Sequence, residues 1–295
     1  EIMISELFFD PVSDDDRDEW LELHNPGDRA LDLDGWKFTD GITLTLPTGT
    51  RIPAGGWMVV ARDAARTRLR YPELSPNQIV GDYAGTLSNQ GERVTLVRTE
   101  MIGNTAVEVE VDAVTYRAGS RWSRWAAGGG SSLEVTDLRA DRELASSWAD
   151  SDESGKAPWT TVQVAGPLDF GHPAVASVDR VQFFLMGEGE ALIDDVAVIP
   201  DGGATGVSNG GFESGLGSWK PQGNQSRSSV VAGLGMGGSQ AFYLRASEKG
   251  EPDGNRVYGP VSPPLRLNSR ATVKAQARWL RGHPELIVRL KGGSL

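Results

Sequence analysis

The residues of this chain that could do chemistry begin with two adjacent acids in an apolar run. Asp194 and Asp195 interrupt the sequence ALIDDVAVIP. The run predicts a strand in which Asp194 shares one face with Leu192 and Val196, while Asp195 shares the other face with Ile193. A carboxylate among apolar neighbours is unfavourable unless it is paired, hydrogen-bonded or bound to a metal ion. We therefore expect at least one of the two acids to point inward and to have a partner.

A third carboxylate is close enough in the sequence to join them. Glu213 follows a glycine-rich turn that is long enough to bring it back alongside Asp194 and Asp195. A set of oxygen ligands without His or Cys nearby favours Ca²⁺ over a transition metal. We predict a structural calcium ion held by these three acids. The alternative, which the residues leave open, is a carboxylate that accepts hydrogen bonds from turn amides such as those of Gly210 and Gly211.

A second group of residues has the chemistry of sugar recognition. Flat aromatic faces stack on sugar rings, and amides and guanidinium groups bind the hydroxyls. The polar stretch QGNQSRSS lies near two aromatic strands in the second half. The predicted ligand-binding residues are Gln222, Asn224, Arg227, Tyr243 and Trp279. Trp159 and Tyr258 are further aromatic candidates, and packing in the core is the alternative for each aromatic residue.

The motifs of catalysis are missing from the sequence. The three His residues are far apart, Cys is absent, and neither a G-x-S-x-G elbow nor an H-E-x-x-H pair occurs. The sequence leaves open the alternative of two carboxylates that hydrolyse a glycoside, because it does not show the distance between carboxylates. We predict no catalytic residues.

Composition limits the fold and the partners. The net charge of −11 and the pI of about 4.8 argue against nucleic acid and anionic membranes as partners, since both require a basic surface. No apolar run reaches the roughly 18 residues of a membrane span, so we expect no membrane insertion. The 37 Gly and 16 Pro punctuate short strand-like runs, which indicates an all-β chain.

Residues 1–150 predict one β-sandwich, with strand runs such as EWLELHN and GWMVVARD separated by turn clusters. The segment DAARTRLRYPEL predicts a single short helix capped by Asp63, and Gly103–Asn104 predicts a hairpin turn. The acidic loop Asp10–Asp18 lacks the spacing of a calcium loop, and both a cation site and a solvated turn stay open.

The first half resembles a lamin-tail domain, which implies an immunoglobulin-like sandwich. The resemblance rests on landmarks in order: Ile4-Ser5-Glu6-Leu7, Glu19-Trp20-Leu21-Glu22-Leu23, Asn25-Pro26-Gly27, Leu33-Asp34-Gly35-Trp36, Pro53-Ala54-Gly55-Gly56, Leu87-Ser88-Asn89, Val111-Asp112 and Trp148. His24 departs from the aromatic residue that relatives carry there. Such domains in bacteria imply accessories of secreted or surface proteins, and the fold alone does not give a function.

Residues 151–295 resemble a carbohydrate-binding-module jelly roll of the galactose-binding-like type. The end signature, Ile193-Asp194-Asp195-Val196, precedes the start signature, Asn209-Gly210-Gly211-Phe212-Glu213 with Trp219, so the strand order looks permuted. Two incomplete half-modules are the alternative. In family members, the matching acids of the two signatures help to hold Ca²⁺.

Two further expectations concern the second half. RVQFFLM and ALIDDVAV predict a hairpin across Gly187–Glu190. In a permuted jelly roll, the strand after Trp159 pairs in the sheet that contains the IDDV strand. We expect Trp159 itself to pack under Val181–Met186.

The sequence and the resemblance together favour a non-catalytic, extracellular or cell-surface segment of a bacterial protein, for binding or adhesion. The predicted partner is a glycan or cell-surface polysaccharide, and other copies of the chain are a further candidate partner. Two alternatives remain, a structural spacer or repeating subunit of a surface layer or filament, and an accessory fragment of a larger enzyme.

Overall fold

The computed structural model describes residues 2–168, 177–251, 253–266 and 268–290. The chain divides into two compact units, Glu1–Asp152 and Glu153–Leu295. Both are built from strands, so the predicted all-β class is confirmed. Within the described ranges, no helix has the length and the apolar character that a membrane crossing demands.

The first unit contains thirteen strands and one α-helix among its described residues. The elements are β1 (Met3–Phe8), β2 (Trp20–His24), β3 (Leu31–Asp32), β4 (Lys37–Asp40), β5 (Ile42–Thr45), β6 (Arg51–Ile52), β7 (Trp57–Ala61), α1 (Ala64–Arg70), β8 (Ile79–Val80), β9 (Ala84–Gly85), β10 (Arg93–Ile102), β11 (Thr105–Thr115), β12 (Leu133–Val135) and β13 (Trp148–Asp150). Short 3-10 turns lie at Asp16–Asp18, Pro76–Gln78 and Ala145–Ser147.

Two sheets of this unit enclose one core. The first has the order β13-β12-β1-β2-β7-β8, the second has the order β11-β10-β4-β5-β9, and β3 pairs separately with β6. Buried side chains from both sheets, including Ile4, Leu23, Phe38 and Leu96, belong to a single cluster. The alternation of apolar residues in β2 produces this packing, since Leu21 and Leu23 are fully buried between half-exposed neighbours.

Local signals in the first unit are confirmed. The Asp63 side chain accepts a hydrogen bond from the Arg66 N–H (2.9 Å) and caps α1, which ends two residues before Pro72. Ile102 pairs with Thr105, so the turn at Gly103–Asn104 joins β10 and β11 as a hairpin.

Two adjacent acids beside α1 are both buried. Asp18 accepts hydrogen bonds from Arg66 Nε (2.6 Å) and Ser13 Oγ (2.5 Å), and the Arg66 bond leads the causes that lower its pKa. Glu19 accepts hydrogen bonds from the Leu87 N–H (2.9 Å) and Tyr83 Oη (3.1 Å). Burial outweighs these bonds and raises the pKa of Glu19 to about 7.

The second unit contains nine strands among its described residues. They are β14 (Thr160–Pro167), β15 (Ser177–Leu185), β16 (Gly189–Pro200), β17 (Lys220–Gln222), β18 (Ser229–Ala232), β19 (Gln240–Ala246), β20 (Arg256–Arg266), β21 (Arg270–Gly282) and β22 (Leu286–Leu290). Short 3-10 turns lie at Gly223–Gln225 and Met236–Gly238.

These strands form a sandwich of two antiparallel sheets, with the orders β14-β21-β16-β19-β18 and β17-β20-β15-β22. One core lies between them, and Trp219 and Phe212 pack at its centre with ring centroids 5.1 Å apart. The predicted hairpin of β15 and β16 is wrong, because the two strands belong to different sheets. The Gly187–Glu188 turn therefore carries the chain across the sandwich instead of reversing it within one sheet.

Trp159 lies in the second unit, but its predicted packing under Val181–Met186 is wrong. It packs with Leu192, Ala241 and Leu280 in a small cluster separate from the central core. The strand that follows it, β14, pairs with β21, which also pairs with β16. Trp159 thus covers the outer surface of the five-stranded sheet.

The substitution Glu19→Gln should weaken the pH dependence of stability. A carboxyl with a raised pKa holds its proton in the folded state, so the stability that protonated Glu19 contributes is fully present below about pH 4.5 and is lost as the pH rises through about 7. The loss is on the order of 2–3 kcal/mol. Gln cannot ionise, but it can still accept the bond from Leu87. Calorimetric midpoints between pH 5 and 8 should therefore change less in the variant.

The matched control is Glu108→Gln, which alters an exposed carboxylate of the same unit that pairs with Lys37. This control should keep the wild-type pH profile. Parallel profiles for wild type and Glu19→Gln would contradict the role given to the buried carboxyl.

Candidate functional site

Strand β16 contains a bulge at the two adjacent acids. Between Asp194 and Ala197 it carries one residue more than the facing stretch of β21, and Asp195 has a φ of 50°. The extra residue shifts the alternation, so that Ile193 and Val196 both enter the central core. The predicted face shared by Leu192 and Val196 is therefore wrong, since Leu192 lies in the outer cluster.

The carboxylate of Asp194 is almost fully buried, at 2% exposure, and both of its oxygens accept hydrogen bonds. Oδ1 accepts from the Asp195 N–H (2.8 Å), and Oδ2 accepts from the Met236 N–H (2.9 Å) and Ser239 Oγ (3.2 Å). Asp194 therefore fastens the glycine-rich loop 233–238 to β16. The amides are those of Asp195 and Met236, not those of Gly210 and Gly211.

Glu213 fastens the other side of the same loop. Its Oε1 accepts from the Gln240 N–H (2.9 Å), and its carbonyl oxygen accepts from Gln240 Nε2 (3.0 Å). Asp195 is exposed at the bulge. Within residues 2–168, 177–251, 253–266 and 268–290, no group of three or more His, Cys, Asp or Glu side chains is placed to hold a metal ion.

Gly210 fits closely against the bulge. The Val196 N–H donates to the Gly210 carbonyl (2.9 Å), and a Cβ at position 210 would lie 2.0 Å from the Val196 carbonyl oxygen. Only glycine can approach the strand this closely. The glycine-rich turn is therefore a packing partner of β16.

The predicted ligand residues near the polar stretch lie at one end of the second unit. Gln222, on β17, accepts from Arg256 Nε (3.2 Å) through its Oε1. Asn224 donates from Nδ2 to the Glu248 carbonyl (2.5 Å) and ties two loops together. Arg227 is exposed, two residues before β18.

Tyr243 and Trp279 lie on opposite faces of the five-stranded sheet. Leu192 pairs with Tyr243 on one side and with Arg278 on the other, so these three share the outer face. Ala191, which faces the core, pairs with Trp279. The structure therefore does not bring Tyr243 and Trp279 together.

A charged network surrounds Tyr243 on the outer face. Tyr243 Oη donates to Glu190 Oε2 (2.5 Å), and Arg281 Nε donates to the same oxygen (2.7 Å). The Arg245 guanidinium lies over the Tyr243 ring at 4.0 Å from its centroid and 3.5 Å from Glu190 Oε1. Glu190 keeps only 12% of its side-chain surface exposed.

Glu190 stays ionised at this position. Burial raises the pKa of its carboxyl, but the hydrogen bonds from Arg281 and Tyr243, with the two arginine charges, outweigh burial and lower it. The network therefore holds two guanidinium groups and a phenol in a fixed arrangement. We name this surface the arginine face, consisting of Trp159, Glu190, Tyr243, Arg245, Lys274, Arg278 and Arg281.

Trp159 lies on this face, over the apolar patch of Leu192 and Leu280. Arg278 Nη2 donates to the Ser154 carbonyl (2.8 Å), which holds the segment before Trp159 against the sheet. The sequence analysis chose Tyr243 and Trp159 but missed Glu190 and the arginines. The alternation of Tyr243 with Arg245 was the available signal, since residues two apart in a strand share a face.

The first unit has its own concave surface. A groove beside β7 is lined by Trp57, Arg51, Asn77 and Gln78 together with turn residues. Gln78 accepts from Ser75 Oγ (2.8 Å), which closes the 3-10 turn at the rim of the groove. The groove offers one half-buried indole, the side-chain amides of Asn77 and Gln78, and the Arg51 guanidinium.

Comparison with known families and proteins identifies part of the chain. Residues 1–118 match the family model described as Lamin Tail Domain. The lamin-tail resemblance is therefore confirmed over these residues, which include β1 to β11. No curated protein and no solved structure matches the chain.

The substitution Asp194→Asn should release the glycine-rich loop. An amide nitrogen replaces one acceptor oxygen, so a buried backbone N–H loses its partner, and the free energy of unfolding should fall by about 1–3 kcal/mol. Urea unfolding measures this loss, and hydrogen exchange at Met236 should accelerate. Asp195→Asn, at an exposed carboxylate, is the control and should change little. Equal exchange at Met236 in wild type and Asp194→Asn would contradict the anchoring role.

The calcium ion stays a prediction. A titration with Ca²⁺ distinguishes a bound metal ion from carboxylates that are held by hydrogen bonds alone. If Ca²⁺ binds at Asp194, Asp195 and Glu213, it stabilises the folded state by roughly 2.7 kcal/mol at 100 times its Kd. The thermal midpoint should then rise with Ca²⁺ and fall with a chelator in wild type, but not in Asp194→Asn. Identical thermal midpoints with Ca²⁺ and with chelator would contradict the predicted calcium site.

Proposed function

We propose that this chain is a non-catalytic binding or adhesion segment of an extracellular or cell-surface bacterial protein, and that its second unit binds glycan on the arginine face. The observation that carries the proposal is the network of Tyr243, Glu190, Arg245 and Arg281 beside Trp159. Residues 1–118, which match the lamin-tail model, belong to a separate all-β unit.

The arginine face has the chemical groups that sugars require. The half-exposed ring of Trp159 gives apolar surface for the C–H face of a sugar ring, beside the Tyr243 ring that the Arg245 guanidinium covers. Guanidinium groups give several N–H donors in fixed directions for hydroxyl oxygens. Glu190 holds Arg281 and Tyr243 before any ligand arrives, so less side-chain entropy is lost on binding.

We infer a permuted carbohydrate-binding-module jelly roll for the second unit. Two pairings support this. The strand after Trp159, β14, and the strand with the IDDV signature, β16, both pair with β21. Phe212 and Trp219, from the NGGFE…GW signature, pack in the core between the two sheets. The roles as structural spacer, as surface-layer subunit and as accessory of a larger enzyme stay alternatives, as does self-association.

Glycan binding can be tested on a printed array that contains both neutral and acidic glycans, with the full chain as the probe. We expect retention on at least one class, and Tyr243→Leu should weaken it about tenfold or more, since an aromatic ring and its hydroxyl contact are removed together. Trp159→Ala should also weaken it.

Tyr258→Leu is the matched control, because Tyr258 also lies under two guanidinium groups, Arg180 and Arg256, but on the four-stranded sheet. Trp57→Ala tests the groove of the first unit in the same way. If no glycan is retained, the proposed function is wrong. If Tyr258→Leu or Trp57→Ala abolishes retention while Tyr243→Leu does not, the arginine face is not the site.

A further inference from the structure

The negative charge of the chain belongs to one unit. Glu1–Asp152 contains 15 Lys and Arg against 27 Asp and Glu, whereas Glu153–Leu295 contains 14 against 13. The overall value of −11 therefore describes the first unit, and the second unit is close to neutral. Arguments from whole-chain charge do not apply to a surface of the second unit.

Four of the 14 cationic residues of the second unit lie on the arginine face. Arg245 and Arg281 lie on either side of Glu190 in the strand pairing. Arg278 and Lys274 lie on the same face of β21, because they are four residues apart along the strand. Four cations therefore share this face with the ionised carboxylate of Glu190.

One neighbouring acid, Asp194, adds no exposed charge to this face. Asp194 falls on the same side of β16 as Leu192, but its oxygens are buried under the loop 233–238. Arg245 and Arg281 keep 43% and 39% of their side-chain surfaces exposed while they contact Glu190. Their guanidinium groups can therefore accept a second anionic partner without leaving the first.

We infer that the ligand of the arginine face is an anionic polysaccharide, whose carboxylate or sulfate groups pair with Arg245, Arg278 and Arg281. This inference rests on the proposed function and names its ligand class. The planar fork of arginine matches a carboxylate or a sulfate with two parallel hydrogen bonds. Trp159 provides the apolar contact to the sugar ring, and Tyr243 holds Arg245 and Glu190 in place beside it.

The spacing of the cations favours a polysaccharide over nucleic acid. At about 3.3 Å per residue, Lys274 lies about 13 Å from Arg278 along β21. At about 4.8 Å between strands, Arg245 lies two strands, or about 10 Å, across the sheet from Arg281. Acidic polysaccharides carry their charges one or two sugars apart, which suits a few separated cations. Single-stranded nucleic acid needs a continuous cationic groove along its backbone.

The experiment compares four immobilised or titrated probes with the full chain: polygalacturonate, dextran sulfate, neutral dextran and a 20-nucleotide oligo(dT). We expect binding to polygalacturonate or dextran sulfate that is at least about tenfold tighter than binding to dextran. The affinity should fall as salt rises from 50 to 200 mM, because exposed ion pairs are screened. The first two probes distinguish carboxylate from sulfate.

Arg245→Gln should weaken binding to the anionic probe about tenfold, since one guanidinium contact is lost. Arg93→Gln is the matched control. Arg93, on β10 of the first unit, keeps 43% of its side-chain surface exposed, as Arg245 does, and it pairs with Glu110 on β11. Its affinity should stay within about twofold. Lys274→Gln, at the far end of the face, should also weaken binding, and it serves as the second variant if Arg245→Gln alters the thermal midpoint.

The outcomes separate the two proposals. Binding to neutral dextran as tight as to the anionic probes, and insensitive to Arg245→Gln, overturns the anionic ligand but leaves glycan binding in place. Preference for oligo(dT) overturns the polysaccharide. An equal loss of affinity in Arg93→Gln and Arg245→Gln shows a non-specific charge effect and also overturns the inference. If none of the glycans binds, both proposals fail.

Discussion

The pairing of β16 with β19 and β21 decides which side chains meet on the second unit. Glu190, near the start of β16, faces Arg245 and Arg281 because of this register. The bulge at Asp195 then turns Val196 toward the core and leaves Asp194 under the glycine-rich loop. A slip of one residue would reverse every side chain of the strand, so that Glu190 would enter the core without its arginines. The charged network and the apolar core therefore depend on the same hydrogen-bond ladder.

The parts of the structure that were predictable from sequence depend on local chemistry. A capping Asp63, the Gly103–Asn104 turn and the alternation of β2 are each contained within a few residues. The bulge in β16 was not predictable in this way, because the alternation of apolar and polar residues in a strand does not show where an extra residue is inserted. The network of Glu190, Arg245 and Arg281 was missed because its members are 55 and 91 residues away from Glu190 in the chain. Only the pairing of β16 with its two neighbours brings them together.

The pKa of a buried acid in this chain depends on the charge of its hydrogen-bond partners. In the first unit, Asp18 and Glu19 are neighbours with pKa values shifted in opposite directions, because only Asp18 has arginine partners bonded to its oxygens. In the second unit, Glu190 follows the pattern of Asp18, and two arginines keep its carboxyl ionised. An acid with cationic partners thus provides a fixed charge, whereas an acid with neutral partners becomes a group that titrates near pH 7.

The unequal division of charge has a colloidal consequence. A protein with a net charge near zero lacks the mutual repulsion that keeps molecules apart, and the second unit is close to that condition. It also exposes Val162 and Val164 on β14, which ends the five-stranded sheet. An exposed apolar edge on a nearly neutral body favours strand-to-strand aggregation. The first unit is strongly acidic and covalently attached, so every molecule carries a net negative charge that opposes such association.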